Sequence, residues 1–233
     1  MAMEPPLSEN TLAALRRLDT CTVANAIETF SVRLRNAGFA ESRIRCMFGD
    51  WPPLVGYAAT ARMRSGEPPV LGGAYRDRTA LWRSILQVPP PRIVVFEDLD
   101  VPPGIGAFLG DVHASILMAL GCVGYVTNGA VREVPQVHEL GLQLFAGNVA
   151  VSHAYAHVFD LGATVRLGGM EVQQGDLLHG DQHGLLSVPK AIAPEIPAVA
   201  GALHERDQKI IDLCRSDEFS LEKLQSVIGD ACK

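Results

Sequence analysis

The chain has 233 residues, of which 48% are hydrophobic and 20% are charged. This composition excludes a disordered or fibrous protein and suffices for one substantial core, so we expect a single domain over residues 1–233. Acidic residues outnumber basic ones by 26 to 20, and the net charge is -6. That balance argues against a protein that binds nucleic acid through its phosphates.

Cysteine usage and the lack of long apolar runs point to a cytoplasmic protein. The five cysteines are an odd number without a C-x-x-C pair, so we expect reduced thiols. No segment offers the roughly 20 apolar residues that span a bilayer. The N-terminal residues also lack a basic region followed by an apolar one. We therefore expect no contact with a membrane.

Helical periodicity begins near the N-terminus, where Ser8 is a candidate N-cap and Asp19 marks a break. A long loop follows, of the kind that often carries function or an oligomer contact. The elements predicted for this part are two short helices within 8–30, the loop 31–53, a strand at 55–63, a helix at 76–87 and a strand at 93–96.

The next elements predict a βαβ unit. A loop at 97–110 leads to a helix at 112–120, which ends at Gly121, and then to a strand at 123–127. Parallel strands place ligand-binding loops at their carboxyl edge, so residues that follow the two strands should share one crevice.

The second half is predicted to be mostly β, with two amphipathic helices at 194–233. Its other predicted elements are a helix at 134–140 and strands at 143–151, 157–160, 164–172 and 185–188.

Residues 104–110, G-I-G-A-F-L-G, precede the helix of the βαβ unit. Their glycine spacing differs from the dinucleotide fingerprint. The backbone N–H groups at the start of the helix nevertheless suit a carboxylate or a phosphate. Asp111 opens this helix, and one interpretation is that it only caps the helix.

Arg132 and Glu133 follow the second strand and should lie beside Asp111. A guanidinium forms a fork for a carboxylate or an enolate oxygen, and carboxylates bind Mg²⁺ or Mn²⁺. From the spacing alone, a surface ion pair is an equally acceptable interpretation of these residues.

Asp111, twenty residues, and then Arg132 with an acidic residue resemble the D-x20-R-D signature of the class II pyruvate aldolases, typified by 4-hydroxy-4-methyl-2-oxoglutarate aldolase. G-C-V-G-Y-V-T-N-G-A-V-R-E at 121–133 and G-D-L-L-H-G-D-Q-H-G-L-L-S-V-P at 175–189 are similar to further motifs of this family. The resemblance covers residues 12–190. The superfamily also includes the regulator of ribonuclease activity A and proteins misnamed dimethylmenaquinone methyltransferases.

The resemblance implies an α/β fold of the swivelling β/β/α type, an α-β-β-α sandwich with helical N- and C-terminal segments. It implies a homotrimer or a dimer of trimers with active sites between subunits. The implied activity is that of a lyase that forms pyruvate enolate from a 2-oxo acid, as an aldolase or as an oxaloacetate decarboxylase, with Mg²⁺ or Mn²⁺ as cofactor. The implied substrate-binding residues are Gly110, Asp111, Val112, His113 and Arg132, the implied metal ligands are Asp111 and Glu133, and the implied catalytic residues are Arg132, Asp111 and Glu133.

Two departures from the family pattern stand out. Glu133 replaces the family's Asp and lengthens the side chain by a methylene, and Asn25 stands where Asp is common. Two other functions therefore stay open. One is a non-catalytic binding protein like the ribonuclease regulator, and the other is a different metal-dependent lyase or isomerase that uses His153 or His157.

Histidines occur in two further polar segments. His153 and His157 could bind a metal together, or they could serve as buried or intersubunit hydrogen-bonding groups. His179, Asp181 and His183 are predicted to lie in a turn between strands, where Asp181 accepts hydrogen bonds from backbone donors.

Overall fold

The computed structural model describes residues 5–70 and 78–231. Its helices are α1 (Glu9–Leu15), α2 (Thr20–Thr29), α3 (Thr79–Leu86), α4 (Asp111–Ala119), α5 (Val134–Leu140), α6 (Ile196–Arg215) and α7 (Leu221–Ala231). Its strands are β1 (Arg45–Cys46), β2 (Leu54–Arg64), β3 (Arg92–Asp98), β4 (Ala107–Leu109), β5 (Cys122–Val131), β6 (Gln143–Val149), β7 (His157–Phe159), β8 (Val165–Leu167), β9 (Met170–Val172), β10 (Leu177–Asp181) and β11 (Gly184–Val188).

A nine-stranded sheet forms the centre of the fold, in the order β1-β6-β5-β3-β2-β10-β11, with β4 beside β5 and β7 beside β2. Strands β2, β3, β5 and β6 are parallel, whereas β10 and β11 pair with antiparallel neighbours. The predicted mixed α/β fold is confirmed.

Alternating side chains of the central strands bury both faces of this sheet. On β2, Val55 and Tyr57 join the core on the helical face, while Leu54 and Ala58 join the opposite core. The opposite core includes Val165 and other residues of the β8–β9 hairpin. Helices thus cover one face and a small second sheet covers the other, which is the layer order expected for a β/β/α fold.

Side-chain caps explain where the first two helices begin. The Ser8 hydroxyl accepts a hydrogen bond from Thr11 N at 3.1 Å, and the Asp19 carboxylate accepts one from Thr22 N at 2.8 Å. The predicted break at Asp19 is therefore confirmed. The 31–53 segment is largely irregular, as predicted, with β1 as a two-residue strand.

The predicted βαβ unit is present, because β3 and β5 are parallel and α4 connects them. Helix α4 ends as predicted, with Gly121 at a φ of 75°. Strand β5 is longer than predicted and reaches Val131, since β4 pairs with its second half. Residues 107–109 form β4, so the prediction of a loop over these residues was wrong.

Two other predicted elements differ from the structure. Instead of one strand at 164–172, β8 and β9 form a hairpin, because Gly168 and Gly169 adopt positive φ angles of 51° and 77°. His179 and Asp181 lie in β10 rather than in a turn. Helix α3 is described from Thr79, and the predicted start at residue 76 lies outside the described residues.

The C-terminal region contains the two predicted helices. Ile196 and Ala200 of α6 are buried, and α6 packs on α2. Within residues 5–70 and 78–231, no helix is both long enough and apolar enough to cross a membrane.

Candidate functional site

The start of α4 and the end of β5 meet at the carboxyl edge of the parallel strands. Arg132 N donates a hydrogen bond to Leu109 O at 3.0 Å, which places Gly110 beside Arg132. The crossover therefore brings together the two loops that the βαβ pattern predicted to be neighbours.

Buried polar contacts fix the loop that leads into this site. The Asp98 carboxylate accepts a hydrogen bond from Gly104 N at 2.7 Å, and Asp98 N donates to the Asn128 side chain at 2.7 Å. The Ser65 hydroxyl accepts one from Gly106 N at 2.8 Å. Residues at the ends of β2 and β3 thus hold the loop, and this limits movement of the α4 N-terminus that follows.

Glu133 is the centre of the site. Its Oε2 accepts a hydrogen bond from Asp111 N at 3.0 Å, while its Oε1 forms a short ion pair with the Arg132 guanidinium. The pKa of Glu133 lies below its usual value, mainly because the Asp111 N–H donates a hydrogen bond to it and also because of the positive charge of Arg132. Glu133 is therefore ionised at neutral pH, and it bridges Arg132 and α4.

The structure brings Asp111, Arg132 and Glu133 together. It also shows that side chains of the protein itself already bind the backbone amides at the start of α4. The Glu133 carboxylate satisfies the Asp111 amide, and the Asp111 carboxylate accepts a hydrogen bond from Val112 N at 2.6 Å. Side-chain carboxylates of the protein therefore occupy the anion-binding positions at the start of α4. A substrate carboxylate at these amides has to replace Glu133 or Asp111.

The His113 side chain contacts Arg78 and Phe108, two residues that were not predicted to belong to the site. Its Nε2 makes a short contact with the Arg78 guanidinium, and its ring lies 4.6 Å from the Phe108 ring. Burial, and then the charges of Arg78 and His153, lower the pKa of His113 to about 4. A neutral His113 accepts a hydrogen bond from Arg78, whose guanidinium also stacks on Phe108 at 4.5 Å.

The two histidines of the H-A-Y-A-H segment contact different backbone groups. His153 lies before β7, with Nδ1 2.9 Å from Ala107 O and its ring 6.5 Å from that of His113. His157 lies within β7 opposite Arg64, and its Nδ1 contacts Tyr155 O at 2.8 Å. Each histidine thus has its own backbone partner.

The donor set at α4 fits a hard divalent cation. Asp111 and Glu133 each bring a carboxylate to the start of α4, and each carboxylate oxygen retains a lone pair beyond its hydrogen bond. Mg²⁺ is commonly held by one or two carboxylates, with water and substrate as its other ligands. These two residues would hold the cation.

Gly110→Ala tests whether the position of Glu133 matters. A Cβ at residue 110 would collide with Glu133 Oε2, although the extended backbone, with φ of -135°, accepts any residue. For a catalytic site at Glu133, we expect turnover to fall roughly 100-fold, the cost of a displacement of about 1 Å at a reacting centre, and the melting temperature to stay nearly constant. Gly201→Ala on α6 is the matched control, since nothing lies within 4 Å of its added Cβ. Full activity of Gly110→Ala would show that the Glu133 position is unimportant.

Known proteins with similar sequences include two provisionally named 4-hydroxy-4-methyl-2-oxoglutarate aldolases. The one from Halalkalibacterium halodurans is 24% identical over 138 residues, which are 59% of this chain and 60% of the relative. The one from Marinomonas is 30% identical over 95 residues, which are 37% of this chain and 55% of the relative. The matches thus span little more than half the length of either relative.

The fold is also similar to that of a solved structure. Streptomyces coelicolor RraAS2, described as an unusual member of the RNase ES inhibitor RraA protein family, superposes with a TM-score of 0.69 at 21% identity, over 91% of this chain and all of that chain. In sequence, the family model of RraA-like proteins (Aldolase/RraA) matches residues 20–186. That match spans well over half of the residues, and the chain therefore belongs to the RraA-like (Aldolase/RraA) family.

Proposed function

We propose that the protein is a divalent-metal-dependent carbon–carbon lyase that releases pyruvate from a 2-oxo acid. The observation that carries this proposal is the convergence of Arg132, Glu133 and the Asp111 amide at the start of α4. This arrangement combines a forked cation, an ionised carboxylate and the positive end of a helix, which together suit an oxo acid as it becomes an enolate.

The two candidate reactions, retro-aldol cleavage and oxaloacetate decarboxylation, share pyruvate enolate as their intermediate. In retro-aldol cleavage of a 4-hydroxy-2-oxo acid, the C3–C4 bond breaks, its electron pair forms the enolate at C2–C3, and the C4 hydroxyl loses its proton to become a carbonyl. In oxaloacetate decarboxylation, the bond to the C4 carboxylate breaks and CO₂ leaves. Both enolates then take up a proton at C3 and give pyruvate, so one site can serve both reactions.

Arg132 and Glu133 change partners in this proposal. In the structure they form an ion pair, with side chains 24% and 29% exposed, so substrate can reach both. The substrate carboxylate and its 2-oxo oxygen replace Glu133 as the acceptors of the Arg132 guanidinium. Glu133 and Asp111 are then available to hold Mg²⁺ or Mn²⁺, which when bound supplies Lewis acidity at the 2-oxo group.

Release of pyruvate from two substrates tests the proposal. We expect the metal-free protein to be inactive on oxaloacetate and 4-hydroxy-4-methyl-2-oxoglutarate, and added Mg²⁺ or Mn²⁺ to restore pyruvate release in a coupled assay. The background of each reaction with metal alone is the control, because oxaloacetate decarboxylates slowly with free cations. Rates equal to this background for both substrates would reject the lyase and would favour a non-catalytic binding protein of the same family.

Apolar side chains around the site support a proposal that the protein forms oligomers. The proposed number of subunits, a homotrimer or a dimer of trimers, comes from the family resemblance alone. Val112, Val149 and Val151 are 65%, 52% and 95% exposed beside the site, although water contact with such side chains is unfavourable. Val149 pairs with Val131, next to Arg132. A neighbouring subunit that covers these residues would complete the wall of the site.

Light scattering at micromolar concentration tests this association. We expect a mass that is a multiple of the chain mass of 25.0 kDa, and we expect Val151→Asp to reduce that mass because a carboxylate is costly to bury at an interface. A wild-type mass near that of one chain would contradict the expectation.

A further inference from the structure

A second polar cluster lies where the start of α2 meets the turn between β10 and β11. The buried Asp181 carboxylate, 6% exposed, accepts hydrogen bonds from Thr20 N at 2.8 Å and from His183 N at 2.8 Å. The buried His179 contacts the Thr20 hydroxyl at 3.1 Å. These contacts hold the two segments together, although they are far apart in sequence.

Side chains of three types that are common metal ligands meet at this junction. One carboxylate oxygen of Asp19, the sulfur of Cys21 and one ring nitrogen of His183 all lie within 4.8 Å of one another. Asp19 also caps α2 through hydrogen bonds from Thr22 N and the Thr22 hydroxyl, and its oxygens keep further lone pairs. Capping fixes the carboxylate in place beside Cys21.

Asp181 orients the His183 ring. His183 Nδ1 lies 3.1 Å from Asp181 Oδ1, so the Nδ1–H donates to the carboxylate and Nε2 keeps the lone pair. Histidines that bind metals commonly donate their other ring N–H to a carboxylate in this way, which fixes the tautomer and makes the ligating nitrogen more basic.

The donor atoms of Asp19, Cys21 and His183 favour one class of cation. Thiolate and imidazole groups favour Zn²⁺ and similar transition metals, whereas Mg²⁺ prefers oxygen ligands alone, as at Asp111 and Glu133.

We propose that Asp19, Cys21 and His183 form a binding site for a divalent transition-metal cation of the Zn²⁺ class, separate from the lyase site. Three protein ligands leave a fourth tetrahedral position for water or another ligand. Asp19 also lines an open cavity of about 500 Å³, with Asp50 and Trp51 among its other walls, from which such a ligand can approach.

Titration with Co²⁺, a spectroscopic substitute for Zn²⁺, tests this proposal on the full-length protein. We expect one tight site per chain, with a thiolate-to-Co²⁺ charge-transfer band that Zn²⁺ abolishes by competition. The Asp111 and Glu133 site offers only oxygen ligands and gives no such band, so the experiment separates the two sites. Absence of the band in the wild-type protein would overturn the proposal.

Single substitutions identify the ligands. Cys21→Ser should abolish the charge-transfer band, and His183→Gln and Asp19→Asn should each weaken Zn²⁺ binding by more than about tenfold, since even outer-shell changes cost 10- to 100-fold. Asparagine remains a good N-cap, so α2 should persist in Asp19→Asn, and circular dichroism checks this. Cys214→Ser, at an exposed thiol on α6, is the matched control. A band that persists in Cys21→Ser, or that disappears in Cys214→Ser, would contradict the assignment.

Discussion

Replacement of Arg132 by lysine is expected to lower turnover by about two to three orders of magnitude, the loss typical for removal of one oxyanion-stabilising donor. Lysine keeps the positive charge beside Glu133 but cannot form two parallel hydrogen bonds to the carboxylate and enolate oxygens of the substrate. The measurement is the steady-state rate of pyruvate release at saturating Mg²⁺.

An arginine-to-lysine substitution at Arg166, on the surface, is the control for Arg132→Lys. Arg166 pairs with Glu171 at the surface, with side chains 76% and 50% exposed, so Arg166→Lys should leave turnover unchanged. Melting temperatures of both variants should stay close to that of the wild type. Near-wild-type turnover in Arg132→Lys would remove Arg132 from the proposed chemistry.

Substitution of Glu133 by glutamine is expected to abolish activity and to weaken Mn²⁺ binding by at least about tenfold, because a neutral amide is a poor ligand for a hard cation. In the structure, both Glu133 oxygens accept hydrogen bonds, one from Arg132 and the other from Asp111 N. A glutamine NH₂ group would face one of these donors, so the bridge would also be lost. Calorimetric titration with Mn²⁺ measures the affinity.

Glu133→Asp separates charge from side-chain length. This variant keeps the carboxylate and shortens the side chain to the length of the aspartate in the D-x20-R-D signature, so we expect metal dependence to persist and activity on 4-hydroxy-4-methyl-2-oxoglutarate to rise. Unchanged Mn²⁺ affinity in Glu133→Gln would instead exclude Glu133 as a ligand. A lyase or isomerase other than an aldolase would then be the better hypothesis.

The βαβ pattern was enough to predict that Asp111, Arg132 and Glu133 are neighbours. Parallel pairing of β3 and β5 follows from the connecting helix, and the carboxyl ends of parallel strands share one edge. The sequence could not predict that Glu133 binds both Arg132 and α4. That contact depends on a left-handed backbone at Glu133, with φ of 55°, which a pattern of residue types does not encode.

Contacts that are distant in sequence explain the remaining errors. Strand β10 contains a histidine, a glycine and an aspartate, so it resembled a turn, but Leu15 and Thr20 satisfy the polar groups of His179 and Asp181 in the fold. The position of Arg78 over Phe108 likewise depends on how α3 packs. The sequence likewise could not predict the cluster of Asp19, Cys21 and His183, because His183 is far from the other two residues in the chain and meets them only in the fold.

Exchange of the methyl protons of pyruvate in D₂O tests the central claim most directly, because enolate formation can be observed without knowledge of the physiological substrate. Proton NMR should show that the protein with Mg²⁺ exchanges these protons faster than the buffer with Mg²⁺. The enhancement should disappear with a chelator and fall at least about 100-fold in Arg132→Lys. An exchange rate equal to that of the buffer, or an enhancement that Arg132→Lys retains, would contradict an enolate-stabilising site at Arg132 and Glu133.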